Sequence, residues 1–159
     1  MSTHIPVAPD LQLSPAPKVA IVSSRFNTSI TGGLKNGALE WLEERGITDV
    51  DVYDAPGAFE LPILAQRLAK SGKYEGVICL GCVIKGDTAH FEFISLGATI
   101  GIMQAQLATE VPIAFGILTT YTEQQAVDRS REDAENKGRE AAAACVESLA
   151  FLRSVPARS

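Results

Sequence analysis

One short segment, residues 81–90, holds the best candidate for proton-transfer chemistry in the chain. It reads Gly-Cys-Val-Ile-Lys-Gly-Asp-Thr-Ala-His, so an apolar strand gives way to a polar turn that opens a helix. It contains His90, one of only two histidines, and the other, His4, lies in a proline-rich stretch. Imidazole changes charge near neutral pH, which suits it to general acid–base catalysis. His90 is therefore either a proton-transfer residue or a histidine packed by hydrogen bonds to the backbone.

The turn before His90 is a candidate anion site. Backbone N–H groups and the dipole at a helix start favour a phosphate beside Gly86 and Thr88. The Asp87 carboxylate would repel a phosphate unless it caps the helix instead. A phosphate also needs a full positive charge, for which an arginine fork is well suited. The candidates, each of which could equally be a solvated surface charge, are Lys85, Arg129, Arg131 and Lys137.

Two other predicted turns carry residues that could bind a planar, hydroxyl-bearing ligand. Phe26 lies in the polar turn Arg-Phe-Asn, where its ring either stacks on a heterocycle or folds back onto a helix. Glu60 follows Gly57 and Ala58 near a helix start. Its carboxylate either accepts hydrogen bonds from a ligand or simply complements the helix dipole. Gly57 and Ala58 would allow a ligand to approach the backbone closely.

A regular alternation of strands and helices positions these residues. Apolar strands are predicted at 18–23, 50–53, 77–84 and 112–118, and helices with apolar faces at 31–45, 58–71, 89–108 and 133–152. The alternation predicts an α/β fold: a flavodoxin-like, doubly wound, four-stranded parallel sheet of order 2-1-3-4 with helices on both faces. Ligands bind at the carboxyl ends of the strands in such sheets, and every candidate turn follows a strand.

The domain organisation follows from the same pattern. Residues 18–159 are predicted to form a single domain. Residues 1–17 hold four of the eight prolines and are predicted to form a flexible tail. The overlapping Thr-x-x-Glu and Thr-x-x-Gln motifs at 120–125 are both possible capping boxes for the next helix.

Composition excludes several functional classes. The net charge of −5 argues against nucleic-acid binding, and no apolar run is long enough to predict a membrane span or a secretion signal. The three cysteines form no disulfide framework and suit the reducing cytoplasm. Cys79 and Cys82 form C-x-x-C inside an apolar strand and lack a second ligand pair, so burial is predicted rather than metal or redox chemistry. Walker, H-E-x-x-H and G-x-G-x-x-G patterns are absent from the sequence.

Five segments, in order and spacing, resemble the 6,7-dimethyl-8-ribityllumazine synthase family. They are Arg-Phe-Asn at 25–27, Pro-Gly-Ala-Phe-Glu at 56–60, residues 81–91, Phe-Gly-Ile-Leu-Thr-Thr at 115–120 and Asn-Lys-Gly at 136–138. The resemblance extends over nearly all of 18–152. It implies a riboflavin-biosynthesis enzyme that condenses 5-amino-6-(D-ribitylamino)uracil with 3,4-dihydroxy-2-butanone 4-phosphate. The implied products are 6,7-dimethyl-8-ribityllumazine, phosphate and water, and no metal or cofactor is implied.

The resemblance also implies a role for individual residues. His90 would transfer protons, and the remaining residues would bind the two substrates. By the part of the ligand that they meet, these are Phe26 at the pyrimidine, Ala58, Phe59 and Glu60 at the ribityl chain, Cys82, Val83 and Ile84 along the heterocycle, Asp87 and Thr88 at the phosphate, and Phe115, Arg129 and Lys137 from a neighbouring subunit. Asn27 and Gly86 would also bind substrate. Arg129 would bind the phosphate.

The resemblance implies a homopentamer with active sites between subunits, and in some members a shell of twelve pentamers. Shell-forming members tend to carry a turn with glycine and lysine before the Asn-Lys-Gly segment. Here residues 130–135 read Ser-Arg-Glu-Asp-Ala-Glu, which favours a free pentamer. Three alternatives stand beside the enzyme: a lumazine- or riboflavin-binding paralogue with little turnover, a structural assembly protein, and a flavodoxin-like FMN binder.

Overall fold

The computed structural model describes residues 11–159. Most of the predicted flexible tail, residues 1–10, lies outside the described residues, as does His4. Residues 11–17 form neither helix nor strand. The Arg153 guanidinium donates a hydrogen bond of 2.7 Å to the Pro15 carbonyl, which links this segment to the last helix.

Four parallel strands form the sheet, and their order confirms the predicted 2-1-3-4 arrangement. They are β1 (Val19–Ser24), β2 (Val50–Ala55), β3 (Gly76–Ile84) and β4 (Ile113–Thr120). All of β1 is buried, and β3 is buried as far as Cys82. Helices on both faces explain why these strands read as continuous apolar runs rather than alternating ones.

The helices form two layers, one on each face of the sheet. In chain order they are α1 (Thr28–Glu43), a 3₁₀ turn (Ala58–Glu60), α2 (Leu61–Lys70), α3 (His90–Thr109), α4 (Glu123–Arg129) and α5 (Lys137–Ser154). The first core joins the sheet to α1, α4 and α5, and the second joins it to α2 and α3. Over the described residues 11–159, no helix has both the length and the apolar character needed to cross a membrane.

Capping side chains decide where two helices begin. Of the two overlapping motifs, the capping box forms at Thr122, whose hydroxyl accepts from the Gln125 N–H while the Gln125 side chain accepts from the Thr122 N–H. The last helix begins at Lys137 rather than at the predicted residue 133 because Asn136 caps it. The Asn136 side-chain oxygen accepts from the N–H groups of Gly138 and Arg139.

Helices α1 and α5 are in backbone contact at Gly138. A Cβ at this position would lie 1.9 Å from the Leu34 carbonyl oxygen and 2.6 Å from its carbon. Both atoms belong to the backbone of α1 and cannot rotate away. A second glycine, Gly37, would place a Cβ 2.2 Å from the Asn136 side-chain oxygen. The absence of a side chain at these glycines therefore sets the distance between the two helices.

The large apolar side chains of α3 point away from the core. The residues at the predicted helical spacing are exposed, and they are Phe93, Leu96, Ile100, Met103 and Leu107. The buried face consists of Ala98, Ile102 and Ala105. The reason is a close approach by α2, since a Cβ at Gly101 would lie 2.7 Å from the Cβ of Pro62. Glycine fits at that contact where a side chain would not, and the five large apolar side chains lie on the outer face.

The three cysteines are unpaired and buried. Cys79 belongs to the core under α2 and α3, whereas Cys82 belongs to the core under α1 and α5. The two side chains of the C-x-x-C motif thus point to opposite faces of β3, as residues three apart in a strand must. Burial, together with the negative charge of Glu123, raises the pKa of Cys82 to about 11. This thiol is therefore protonated at neutral pH and is not a nucleophile.

Candidate active site

A cavity of about 370 Å³ opens where β1, β2 and β3 end. Its walls come from the turn after β1, the 3₁₀ turn after β2, the last residues of β3 and the first turns of α3. It brings together these predicted site residues: Phe26, Asn27, Ala58, Phe59, Glu60, Cys82, Val83, Ile84 and His90. They are far apart in the sequence and adjoin because parallel strands end at the same edge of the sheet.

The Phe26 ring lies at the mouth of this cavity and is 67% exposed, so it does not fold back into the core. A Cβ at Gly57 would lie 3.3 Å from the Phe26 ring and 3.1 Å from a carboxylate oxygen of Glu60. The ring, the bare backbone and the carboxylate therefore adjoin. Such a surface offers a flat apolar face and a hydrogen-bond acceptor, which suits a planar heterocycle that carries N–H or hydroxyl groups.

Phe59 is the second exposed aromatic side chain at the cavity, with 60% of its surface accessible. Its ring lies against α3, because a Cβ at Gly97 would come within 3.2 Å of it. Sequence reasoning missed one lining residue, Ile94. It follows His90 by four residues on the same helix, and that spacing places both side chains on one face.

Asn27 holds the turn that carries Phe26. Its backbone has φ 56° and ψ 56°, the left-handed conformation that asparagine tolerates better than most residues. Its side-chain amide donates a hydrogen bond of 3.0 Å to the Cys82 carbonyl at the end of β3. α1 starts immediately after this turn, three residues earlier than predicted. The Asn27 amide links the turn that follows β1 to the end of β3.

Replacing Asn27 separates its two contributions. We expect Asn27→Gly to lower the free energy of unfolding by about 1 kcal/mol, because it loses the hydrogen bond but keeps the backbone conformation. We expect Asn27→Ala to cost about 2 to 3 kcal/mol, since the left-handed conformation adds its own penalty. Urea unfolding of both variants at one protein concentration measures the difference. Equal losses would show that the backbone conformation at Asn27 contributes nothing.

His90 is the first residue of α3 and its side chain lines the cavity. Its backbone N–H donates a hydrogen bond of 3.4 Å to the Thr88 hydroxyl. Of the two alternatives for Asp87, the helix cap does not form: the N-terminal capping residue is Ala89, and no side-chain cap bond is present. Asp87 is exposed and makes no hydrogen bond or ion pair with other described residues. Residues 86–88 form an exposed turn beside the cavity rather than part of its wall.

The three residues assigned to a neighbouring subunit lie outside this cavity. Phe115 lies on β4 beside α3, next to Thr99 and Met103. Arg129 ends α4, where its guanidinium donates a hydrogen bond of 3.0 Å to the Gln125 carbonyl. Lys137 is only 4% exposed and forms a 2.7 Å ion pair with Glu140. Within residues 11–159, no lysine or arginine lines the cavity, so a single subunit offers a phosphate no cationic side chain there.

Among the described residues, no group of three or more histidine, cysteine, aspartate or glutamate side chains is arranged to hold a metal ion. The chemistry that the cavity offers through its own side chains is proton transfer, stacking and hydrogen bonding. His90 can exchange protons, and the Glu60 carboxylate can accept hydrogen bonds. The backbone at Gly57 leaves room for a ligand to lie against it.

The sequence profile of the family described as 6,7-dimethyl-8-ribityllumazine synthase matches residues 16–153. The chain is 60% identical over 141 residues to 6,7-dimethyl-8-ribityllumazine synthase 1 of Caulobacter vibrioides, a match that covers 87% of this chain and 92% of that protein. It is 49% identical to the synthase of Salinibacter ruber, over 85% of this chain and 88% of that protein. It is 46% identical to that of Deinococcus deserti, over 87% and 90% respectively. With this coverage, and with a parallel sheet of the order that the family resemblance implies, the chain belongs to the 6,7-dimethyl-8-ribityllumazine synthase family.

Proposed function

We propose that the chain catalyses a step of riboflavin biosynthesis, the condensation of 5-amino-6-(D-ribitylamino)uracil with 3,4-dihydroxy-2-butanone 4-phosphate. The products are 6,7-dimethyl-8-ribityllumazine, inorganic phosphate and water. The observation that carries the proposal is the cavity in which the Phe26 ring, the Glu60 carboxylate and the His90 imidazole adjoin. A flavodoxin-like FMN binder would instead need a phosphate loop after β1, where Arg-Phe-Asn is a poor cradle.

Different side chains bind different parts of the two substrates, and one transfers protons. The pyrimidine stacks on Phe26 beside Asn27, and its ribityl chain runs along Ala58, Phe59 and Glu60. Imine formation, loss of phosphate and ring closure all require protons to be moved, and His90 is the group placed to move them. The remaining wall, formed by Cys82, Val83 and Ile84, holds the heterocycle in place. Holding two substrates side by side supplies much of the rate enhancement without a covalent enzyme intermediate.

A neighbouring subunit completes this site in the proposal. The phosphate lies at the turn formed by Gly86, Asp87 and Thr88, and its charge requires a cation that the cavity itself lacks. Arg129 supplies that cation from the next subunit, with Lys137 and Phe115 beside it. The exposed apolar stripe of α3 and the unpaired edge of β4 support an assembly, because each exposes surface that another subunit would cover.

We expect a free homopentamer with five times the 16.9 kDa mass of one chain. The acidic, glycine-free segment 130–135 supports the pentamer over a shell. Multi-angle light scattering at several protein concentrations measures the mass directly. A mass close to sixty chains, or a stable monomer, would contradict this prediction.

The proposal also places the enzyme in the cytoplasm. Its three thiols are unpaired and buried, which fits a compartment where disulfides do not form. Fractionation of cells that express the chain tests this point, since recovery in the soluble cytoplasmic fraction is the expected result.

One assay tests the reaction. The purified protein is mixed with both substrates, and lumazine absorbance and phosphate release are followed together. We expect equimolar lumazine and phosphate, formed faster than in a mixture without protein. Omission of either substrate is the control. Lumazine binding without turnover would favour the low-turnover binding paralogue instead.

A further inference from the structure

A buried amide, Asn136, joins three separate segments of the fold. Asn136 is 1% exposed, and its side chain makes four hydrogen bonds. The oxygen accepts from the N–H groups of Gly138 at 2.8 Å and Arg139 at 3.2 Å. The nitrogen donates to the carbonyls of Gly33 at 3.1 Å and Arg131 at 2.8 Å. Every donor and acceptor of the amide is satisfied, so its position is fixed on all sides.

Two of these bonds determine where the segment after α4 lies. The bond to the Arg131 carbonyl holds a residue only two positions beyond Arg129. The bond to Gly33 fixes the same amide to α1. Close packing strengthens this arrangement, because a Cβ at Gly33 would lie 2.3 Å from the Ser130 carbonyl oxygen. The backbone that follows Arg129 is therefore held against α1 by Asn136 on one side and by Gly33 on the other.

The other two bonds fix the start of α5, and Lys137 is its first residue. The Asn136 cap and the 2.7 Å ion pair with Glu140 hold Lys137 in the first turn of the helix. Arg129 and Lys137 come before and after a connection of seven residues, 130–136. A single amide thus contacts the backbone next to both cations that the proposed function assigns to the neighbouring site.

We infer that Asn136 is a positioning residue for the phosphate-bearing substrate. It touches neither substrate and acts by holding Arg129 and Lys137 where the neighbouring subunit needs them. The inference rests on the proposed function. It predicts a selective effect, because the pyrimidine side of the cavity is built from other segments of the chain.

The test compares two substitutions with a matched control. Asn136→Asp keeps the helix cap but turns a carboxylate oxygen toward the Gly33 and Arg131 carbonyls. Asn136→Ser supplies an uncharged hydroxyl oxygen that can still cap the helix, but the side chain is too short to reach those carbonyls. The control, Val146→Ala, removes buried apolar volume further along α5 and lowers stability without altering the connection.

We expect both Asn136 variants to raise the KM for the butanone phosphate about tenfold, as the loss of two hydrogen bonds allows. The KM for the pyrimidine should stay within about twofold, and inorganic phosphate should inhibit about tenfold less well. Val146→Ala should leave both KM values unchanged despite its lower midpoint of unfolding. Equal rises in both KM values, or a rise in Val146→Ala as well, would overturn the inference. A wild-type protein that forms no lumazine would instead overturn the proposed function, and phosphate binding measured by calorimetry would still test the role of Asn136.

Discussion

Replacing Gly138 with alanine should lower the free energy of unfolding by about 3 kcal/mol or more, or leave little soluble protein. The added methyl group would lie 1.9 Å from the Leu34 carbonyl oxygen of α1, which is far inside van der Waals contact. The neighbouring atoms are all backbone, so relief requires the two helices to separate. That separation would open the core that joins α1 and α5 to the sheet.

A second Gly→Ala substitution provides the matched control. Gly32 is the fifth residue of α1, inside the helix, and a Cβ there would have no neighbour within 4 Å. We expect Gly32→Ala to raise the free energy of unfolding by about 0.5 to 1 kcal/mol, because alanine favours the helix more than glycine does. Chemical denaturation of both variants at one protein concentration measures the contrast. An unchanged midpoint for Gly138→Ala would show that the helices are not in backbone contact.

The second large effect is on catalysis. We expect His90→Ala to slow turnover about 10- to 1,000-fold rather than abolish it, because positioning of the two substrates contributes independently of proton transfer. Steady-state rates from lumazine absorbance, with product binding measured by fluorescence, separate catalysis from binding.

The control for this prediction is His90→Gln. Glutamine retains hydrogen-bonding groups but takes up no proton near neutral pH, so we expect it to be as slow as alanine. Recovery of the rate in His90→Gln would mean that polarity suffices at this position. Complete loss of turnover with binding intact would mean that His90 does more than move protons.

The alternation of strands and helices, with right-handed crossovers, predicted the parallel sheet and its strand order, and the turns after three strands predicted most of the cavity wall. Parallel strands buried on both faces read as continuous apolar runs, and residues that follow such runs collect at one edge of the sheet. Phe26, Glu60 and His90 were therefore expected to adjoin, and they line one cavity. Their catalytic and binding roles stay predictions until turnover is measured.

Periodicity could not predict which face of α3 is buried. The stripe that begins at Phe93 has the spacing of a core face, but α2 approaches α3 closely at Gly101, and the buried face is Ala98, Ile102 and Ala105. The Asn136 bond to the Gly33 carbonyl could not be predicted either, because a partner more than a hundred residues away leaves no local signal. The sequence also left the role of Asp87 open, because a carboxylate near a helix start is a common cap, whereas here the Thr88 hydroxyl contacts the first turn.

The outward-facing stripe of α3 has a consequence for how the amount of active enzyme depends on expression. A lone chain leaves those five apolar side chains in contact with water. Association with another chain that covers them would lower the free energy, and dilution would favour the separate chains. If each site takes Arg129 from the neighbouring chain, as proposed, low expression leaves a disproportionately small share of the chains in complete active sites. If the proposed pentamer forms, the rate per cell should rise more steeply than protein abundance until assembly is complete, and in proportion to it afterwards.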